Sequence, residues 1–245
     1  MADFLLVPGA WHGGWCWRRV VQALTAAGHR AHAVTLTGVG ERAHLMSSAI
    51  TLETHISDVI HAIEMEEMEQ VVLAVHSYGG MIGTAIADRH GSRLRHLVYV
   101  DAIVPKPGES WSSTHSSAMR EARMAAAQAS LDFSFPPPDP SVFGLAGEDC
   151  EWVKRRQTPQ PGHTYNSILQ FDPLRVAAIP RTFVNCTQPA IATIDGIRPR
   201  LSDNQFWDGA WQAGGGARVV ELKTGHDPMV SAPQDLTRIL LDCAA

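Results

Sequence analysis

The sequence predicts an α/β fold with a mainly parallel sheet, and three observations carry that expectation. Six short apolar or β-branched runs, at residues 4–7, 32–36, 71–75, 97–100, 182–185 and 218–222, punctuate the 245-residue chain. Amphipathic helical stretches separate most of them, the pattern of parallel strands joined by crossover helices. The alternation lapses once, between residues 105 and 179, which marks an insertion in an otherwise regular array.

The elements follow in order. Most of the six runs are continuously apolar, as strands covered on both faces should be. After the first, residues 17–27 carry Val20, Val21 and Leu24 at helical spacing and stop at Gly28, a C-terminal cap residue. Residues 51–65 repeat the pattern with Leu52, Ile56, Val59, Ile60 and Ile63. A helix over 81–88 follows the third run, and residues 234–242 form the last. The insertion holds helical stretches near 116–130 and 150–156, separated by Phe135-Pro136-Pro137-Pro138 and followed by Pro159 and Pro161. Prolines stiffen such connections. We expect a core of residues 1–104 and 180–245, with residues 105–179 as a mainly helical cap after the fourth strand. Trp11, Trp111, Phe135 and Trp152 are candidates to line an apolar pocket over the carboxyl edge of the sheet.

Composition narrows the function. The net charge of -5 is scattered, with no basic stripe for nucleic acid and no polybasic cluster for a membrane surface. The apolar stretch near the N-terminus is too short for a signal peptide or a membrane span. Cys16, Cys150, Cys186 and Cys243 are far apart and fit reduced thiols better than disulfides or a zinc site. A cytoplasmic protein acting on a small molecule, without metal or cofactor, is expected. The sequence is compatible with a homodimer without requiring one.

The chemistry centres on His76-Ser77-Tyr78-Gly79-Gly80, between a buried strand and a helix. A serine on so tight a turn has its hydroxyl above the sheet, beside the N–H groups of a helix start. That arrangement suits acyl transfer. A serine hydroxyl needs a base, and His226 follows the last strand within Lys223-Thr224-Gly225-His226-Asp227-Pro228. A carboxylate must then orient the imidazole. Asp101, Asp172, Asp195, Asp203 and Asp208 all lie between Ser77 and His226. Asp101 directly ends a strand, at the edge where such sheets carry ligands; Asp195 is the alternative. The oxyanion donors expected are the N–H of Tyr78 and that of Ala10, in the glycine-rich loop 8–14 after the first strand.

Residues 4–17, Phe4-Leu5-Leu6-Val7-Pro8-Gly9-Ala10-Trp11-His12-Gly13-Gly14-Trp15-Cys16-Trp17, with Ala26-Ala27-Gly28-His29, the serine turn and Gly225-His226, resemble the plant methylesterase and hydroxynitrile lyase group of α/β-hydrolases and its bacterial relatives. The resemblance implies an α/β-hydrolase fold with a six-stranded core, a helical cap and no cofactor. It places Ser77 on the nucleophile, His226 on the base, and Ala10 and Tyr78 on the oxyanion donors. Three positions depart from the pattern: Pro8 replaces the usual histidine, Val75 the usual glycine, and Pro189 falls where the acid is expected. The last moves the acid to Asp101. Gly9 and Asp227 occupy the positions at which the lyases carry threonine and lysine, which favours ester hydrolysis over cyanohydrin cleavage. A serine carboxylesterase working through an acyl-enzyme on a small to medium, partly apolar ester is the expected function. Its rivals are a C–C lyase on the same scaffold and a non-catalytic small-ligand sensor.

Overall fold

The computed structural model describes residues 1–203, 206, 207, 209 and 217–245. Its centre is a six-stranded sheet: β1 (Asp3–Val7), β2 (Arg30–Ala33), β3 (Val71–His76), β4 (Leu94–Val100), β5 (Arg181–Cys186) and β6 (Ala217–Leu222). The spatial order is β2-β1-β3-β4-β5-β6, and each neighbouring pair is parallel. All six residues of β3 are buried, and each large apolar side chain so buried contributes about 1.5–3 kcal/mol.

The helices form where the apolar spacing places them. α1 (Arg18–Ala26) buries Val20 and Leu24 and packs on the C-terminal helix Pro233–Asp242. α2 (Leu52–Met65) buries Leu52, Ile56, Val59 and Ile63, and the Thr54 hydroxyl accepts the Thr51 N–H at 3.2 Å to cap its first turn. α3 (Gly79–His90) is buried from Gly79 through Ala87. It starts two residues before the sequence predicts, because the serine turn runs straight into its first turn.

Two strands differ from expectation. The second pairs over Arg30–Ala33 rather than 32–36. Val34 and Leu36 are buried after the strand has ended, so the apolar run there reports burial more than pairing. The last strand is an edge with several exposed residues, not one covered on both faces.

Between β4 and β5 the chain builds α4 (Ser117–Ala129) and α5 (Gly147–Lys154). Ser134–Phe135 and Gln160–Pro161 form a short antiparallel pair that the sequence reading did not include. The start of this segment is tied to the core by Arg200, whose guanidinium binds Glu109 at 2.6 and 2.9 Å, and by Trp207, whose Nε1–H donates to the Pro105 carbonyl at 2.9 Å.

The strand order reverses between β1 and β3, since β2 lies on one side of β1 and β3 on the other. Loops leaving the carboxyl ends of such neighbours diverge and open a crevice. The loop after β1 and the serine turn after β3 both lie there.

Candidate active site

Ser77 is the first residue past β3 and Asp101 the first past β4. Both adopt left-handed backbone conformations, with φ of 51° and 42°. Such φ values cost a non-glycine residue on the order of 1–3 kcal/mol and persist only where surrounding bonds enforce them. Here the Ser77 N–H donates to the Val100 carbonyl at 3.3 Å, the Ile103 N–H donates to the Ser77 carbonyl at 3.0 Å, and the Asp101 N–H donates to Val184 at 2.8 Å. The loop after β4 crosses the first turn of α3 so closely that a Cβ at Gly80 would lie 2.0 Å from the Ile103 carbonyl oxygen. Glycine is therefore obligatory at 80.

Val75, the departure from the usual glycine, has its own explanation. A Cβ at Gly83 would meet Val75 Cγ1 at 2.8 Å. The space that Val75 fills is supplied by Gly83, one helical turn along α3.

His226 reaches Ser77 from β6 by a loop that passes back over β5. The Gln188 N–H donates to Thr224 at 3.0 Å, and the His226 N–H to the Phe143 carbonyl at 2.8 Å. The imidazole lies 3.0 Å from Ser77 Oγ through Nε2 and 2.7 Å from Asp101 Oδ2 through Nδ1. A carboxylate only accepts, so Nδ1 carries the proton and Nε2 offers its lone pair to the serine hydroxyl. Asp101 is fully buried; its second oxygen accepts from the Cys186 N–H and from Arg198 Nη2, both at 3.3 Å.

Asp195 does not join this group. Its side chain is 65% exposed and pairs with Arg198 Nη1, so the alternative acid acts on the guanidinium that braces Asp101 rather than on His226. Asp172 caps a short helix by accepting from the Leu174 N–H, Asp203 is exposed, and Asp208 lies outside the described residues.

The N–H groups of Ala10 and Tyr78 make no hydrogen bond to any described residue. They are available to an oxygen at the mouth of the turn. The loop that presents Ala10 is pinned by His12, which is buried: Nδ1–H donates to the Ala10 carbonyl at 2.7 Å and Nε2–H to Asp227 Oδ2 at 3.1 Å. Both ring nitrogens face acceptors, which calls for the imidazolium. Burial alone would lower the His12 pKa, but the charge and hydrogen bond of Asp227 outweigh it and the net shift is upward. Burial would likewise raise Asp227, yet His12, with His76 and His226 behind it, brings it down to about 2. His76 behaves oppositely. Burial and the neighbouring His226 lower it to about 3, and its neutral ring donates Nε2–H to the His226 carbonyl at 2.8 Å.

His12, His76, Asp227 and Arg198 thus hold the site from behind, a bracing role that the sequence alone gives to none of them. Asp227 adjoins His226, and His12 sits within the glycine loop; those positions were the available signals. Arg198 had none. Among the described residues no three His, Cys, Asp or Glu side chains converge as a metal-binding set.

Ser77 and His226 open into a cavity of about 240 Å³ lined by Trp11, Ile103, Trp111, Met119, Phe143 and Ile194, with His115, Arg123 and Thr193 as further polar members. Trp11 and Trp111 are thus brought to the site. Two other expected lining residues are not. Phe135 packs edge-on behind Trp11, with ring centroids 5.9 Å apart, and supports the wall instead of forming it. Trp152 stands edge-on to Trp15 at 5.1 Å, on a surface groove beside Arg19, because α5 turns that face away from the sheet edge.

The sequence profile of the alpha/beta hydrolase family matches residues 4–239. The chain belongs to the α/β-hydrolase family. It is 39% identical over 248 residues to a carbendazim hydrolyzing esterase of Nocardioides sp. (strain SG-4G), covering 98% of each protein. It is 26% identical to methylesterase 7 of Arabidopsis thaliana, covering 98% of this chain and 95% of that protein. Among solved structures, an extracellular alpha/beta-hydrolase from a Paenibacillus species superimposes with a TM-score of 0.80 at 18% identity, over 99% of both chains. This α/β-hydrolase has, among its described residues, no helix long and apolar enough to cross a membrane.

Proposed function

We propose that this α/β-hydrolase is a serine carboxylesterase in which Ser77 is the nucleophile, His226 the general base and Asp101 the orienting acid. The observation that carries the reading is the unbroken relay from Ser77 Oγ to His226 at 3.0 Å and on to Asp101 at 2.7 Å, opening into an apolar cavity. Ser77 Oγ attacks the ester carbonyl as His226 Nε2 takes its proton, and the Ala10 and Tyr78 N–H groups receive the oxyanion. His226 then protonates the departing alcohol, and a water activated by the same imidazole releases the acid from the acyl-enzyme.

The esterase relatives favour hydrolysis over the lyase alternative. So does residue 227, where a buried carboxylate stands in place of an ammonium. Apolar lining suits a small to medium, partly apolar ester. We assign the enzyme to the cytoplasm on the scattered cysteines, each of which is a free thiol. Hydrolysis of p-nitrophenyl esters by wild type and Ser77→Ala tests the reading. Loss of turnover to near background in the variant supports it, and retained turnover refutes it.

A further inference from the structure

The cavity beside Ser77 contains a cation with no carboxylate partner among the described residues. Arg123, on α4, lines the same cavity as Ser77 and His226, and no Asp or Glu among the described residues lies within 4.0 Å of its nitrogens. Among the described residues no carboxylate lines that cavity either. Its guanidinium is instead held by rings, with its carbon 5.2 Å from the Trp11 centroid, 5.0 Å from Trp111, 5.8 Å from Phe135 and 5.1 Å from Tyr165. Such faces attract a cation without neutralising it or accepting most of its N–H groups.

Its polar neighbours, His115 and Tyr165, carry no negative charge to neutralise it. Arg123 Nη1–H donates to His115 Nδ1 at 3.2 Å, and the Tyr165 hydroxyl lies 2.8 Å from the same nitrogen. Because Nδ1 accepts from the guanidinium, a neutral His115 carries its proton on Nε2. Burial, reinforced by Arg123 and Arg120, holds this histidine neutral, with its pKa lowered to about 3. The Nε2 atom is buried and has no hydrogen-bond partner among the described residues, and neither has Trp11 Nε1. A buried donor left unmade costs on the order of 1–3 kcal/mol. The cavity lining therefore offers one guanidinium with no carboxylate opposite it among the described residues, and two of its residues carry buried N–H groups without a described acceptor.

We propose that this cluster is the recognition site for a carboxylate on the substrate, so that the preferred ester is one whose far end is anionic, a monoester of a dicarboxylic acid. The assignment rests on the esterase reading above and names its substrate class. The planar fork of Arg123 matches a carboxylate with two parallel N–H···O bonds. The rings around it exclude water and strengthen that attraction. The aromatic wall that holds the guanidinium also includes Trp11, next to the oxyanion donor Ala10, and Trp111, whose ring lies 5.1 Å from that of Tyr78, so recognition and reaction share one rigid surface.

Three esters of equal length test this: the monomethyl ester of hexanedioic acid, its neutral monoamide analogue, and methyl hexanoate. Each is measured as kcat/KM on wild type, Arg123→Met and Arg123→Lys, and by tryptophan-fluorescence titration of the uncleaving Ser77→Ala variant. Wild type should favour the anionic ester over methyl hexanoate by at least tenfold. Arg123→Met should cut that ratio tenfold or more, whatever its absolute rates, and Arg123→Lys should keep part of it. Ser77→Ala should bind the anionic ester more tightly than either neutral one. Equal handling of the acid and the amide, or a ratio unmoved by Arg123→Met, overturns the carboxylate assignment while leaving the esterase reading intact. Tight anionic binding without turnover of any ester by wild type overturns the esterase reading and upholds the binding site.

Discussion

Ser77 and Asp101 stand side by side because the strands that carry them are in register: His76 pairs with Val100 across β3 and β4, and each functional residue is the next one along. In the proposed triad the acid therefore comes from the strand adjacent to the nucleophile, and His226, from a third strand, closes the relay over both. This geometry makes Asp101 and not Asp195 the residue on which turnover should depend.

Asp101→Asn should lower kcat by about 10³–10⁴-fold, because an amide at this position fixes the wrong imidazole tautomer. Asp195→Asn should change it less than about threefold, since that side chain is exposed and reaches His226 only through Arg198. Steady-state kinetics on one p-nitrophenyl ester compares the two directly, and equal losses would dissolve the distinction.

Gly83→Ala should destabilise the protein by about 1–3 kcal/mol, the usual cost of overpacking, because the new methyl would press on Val75. Val75→Ala in the same chain should recover part of that loss, and the two changes should be non-additive. Urea denaturation of the two single variants and the double variant measures the coupling.

How much of this was readable in the sequence follows from distance along the chain. The serine turn compresses strand end, nucleophile, donor and helix start into five residues, and its pattern survives even with Val75 in place of glycine. His226 and Asp101 were legible as polar residues just past apolar runs. The bracing groups were not. His12 meets Asp227 across 215 residues and Arg198 meets Asp101 across 97, and no local pattern encodes such meetings. Nothing in the spacing of the 116–130 stretch singles out Arg123; only the fold shows four rings around it and no carboxylate among the described residues. Trp152 misled for the converse reason, since aromatic content in the inserted segment says nothing about which face a helix turns to the cavity.

The His12 and Asp227 pair is fully buried, and removing one partner leaves the other uncompensated. His12→Phe should cost about 3–5 kcal/mol, measured by chemical denaturation. It should also lower kcat, because the Ala10 carbonyl loses the donor that pins the oxyanion loop. A variant with unaltered stability would show that the pair contributes nothing to the fold.

Stability should fall on acidification below about pH 6.5. His55 and His76 are held neutral in the fold, with pKa values lowered from 6.5 to about 4 and about 3, chiefly by burial. A depressed folded pKa gives stability that is present above the unfolded value and lost as pH falls through the folded one, because the unfolded chain binds more protons in between. Each unit of depression corresponds to about 1.4 kcal/mol. Asp227, lowered to about 2 against a carboxylate's usual 3.8, extends the loss into the more acidic range. His12 has the opposite sign: its raised pKa gives stability that is complete below 6.5 and is lost as pH rises through its folded value. Thermal melting between pH 7 and pH 4 should show a steady decline in Tm; a flat profile would contradict the neutral assignment of the buried histidines.

The central claim is that Ser77 is an activated nucleophile, and intact-mass analysis after treatment with a fluorophosphonate, followed by peptide mapping, tests it most directly. One adduct per chain is expected, located on Ser77 and formed much more slowly in Asp101→Asn. An unmodified wild-type protein, or an adduct on any other serine, would contradict it.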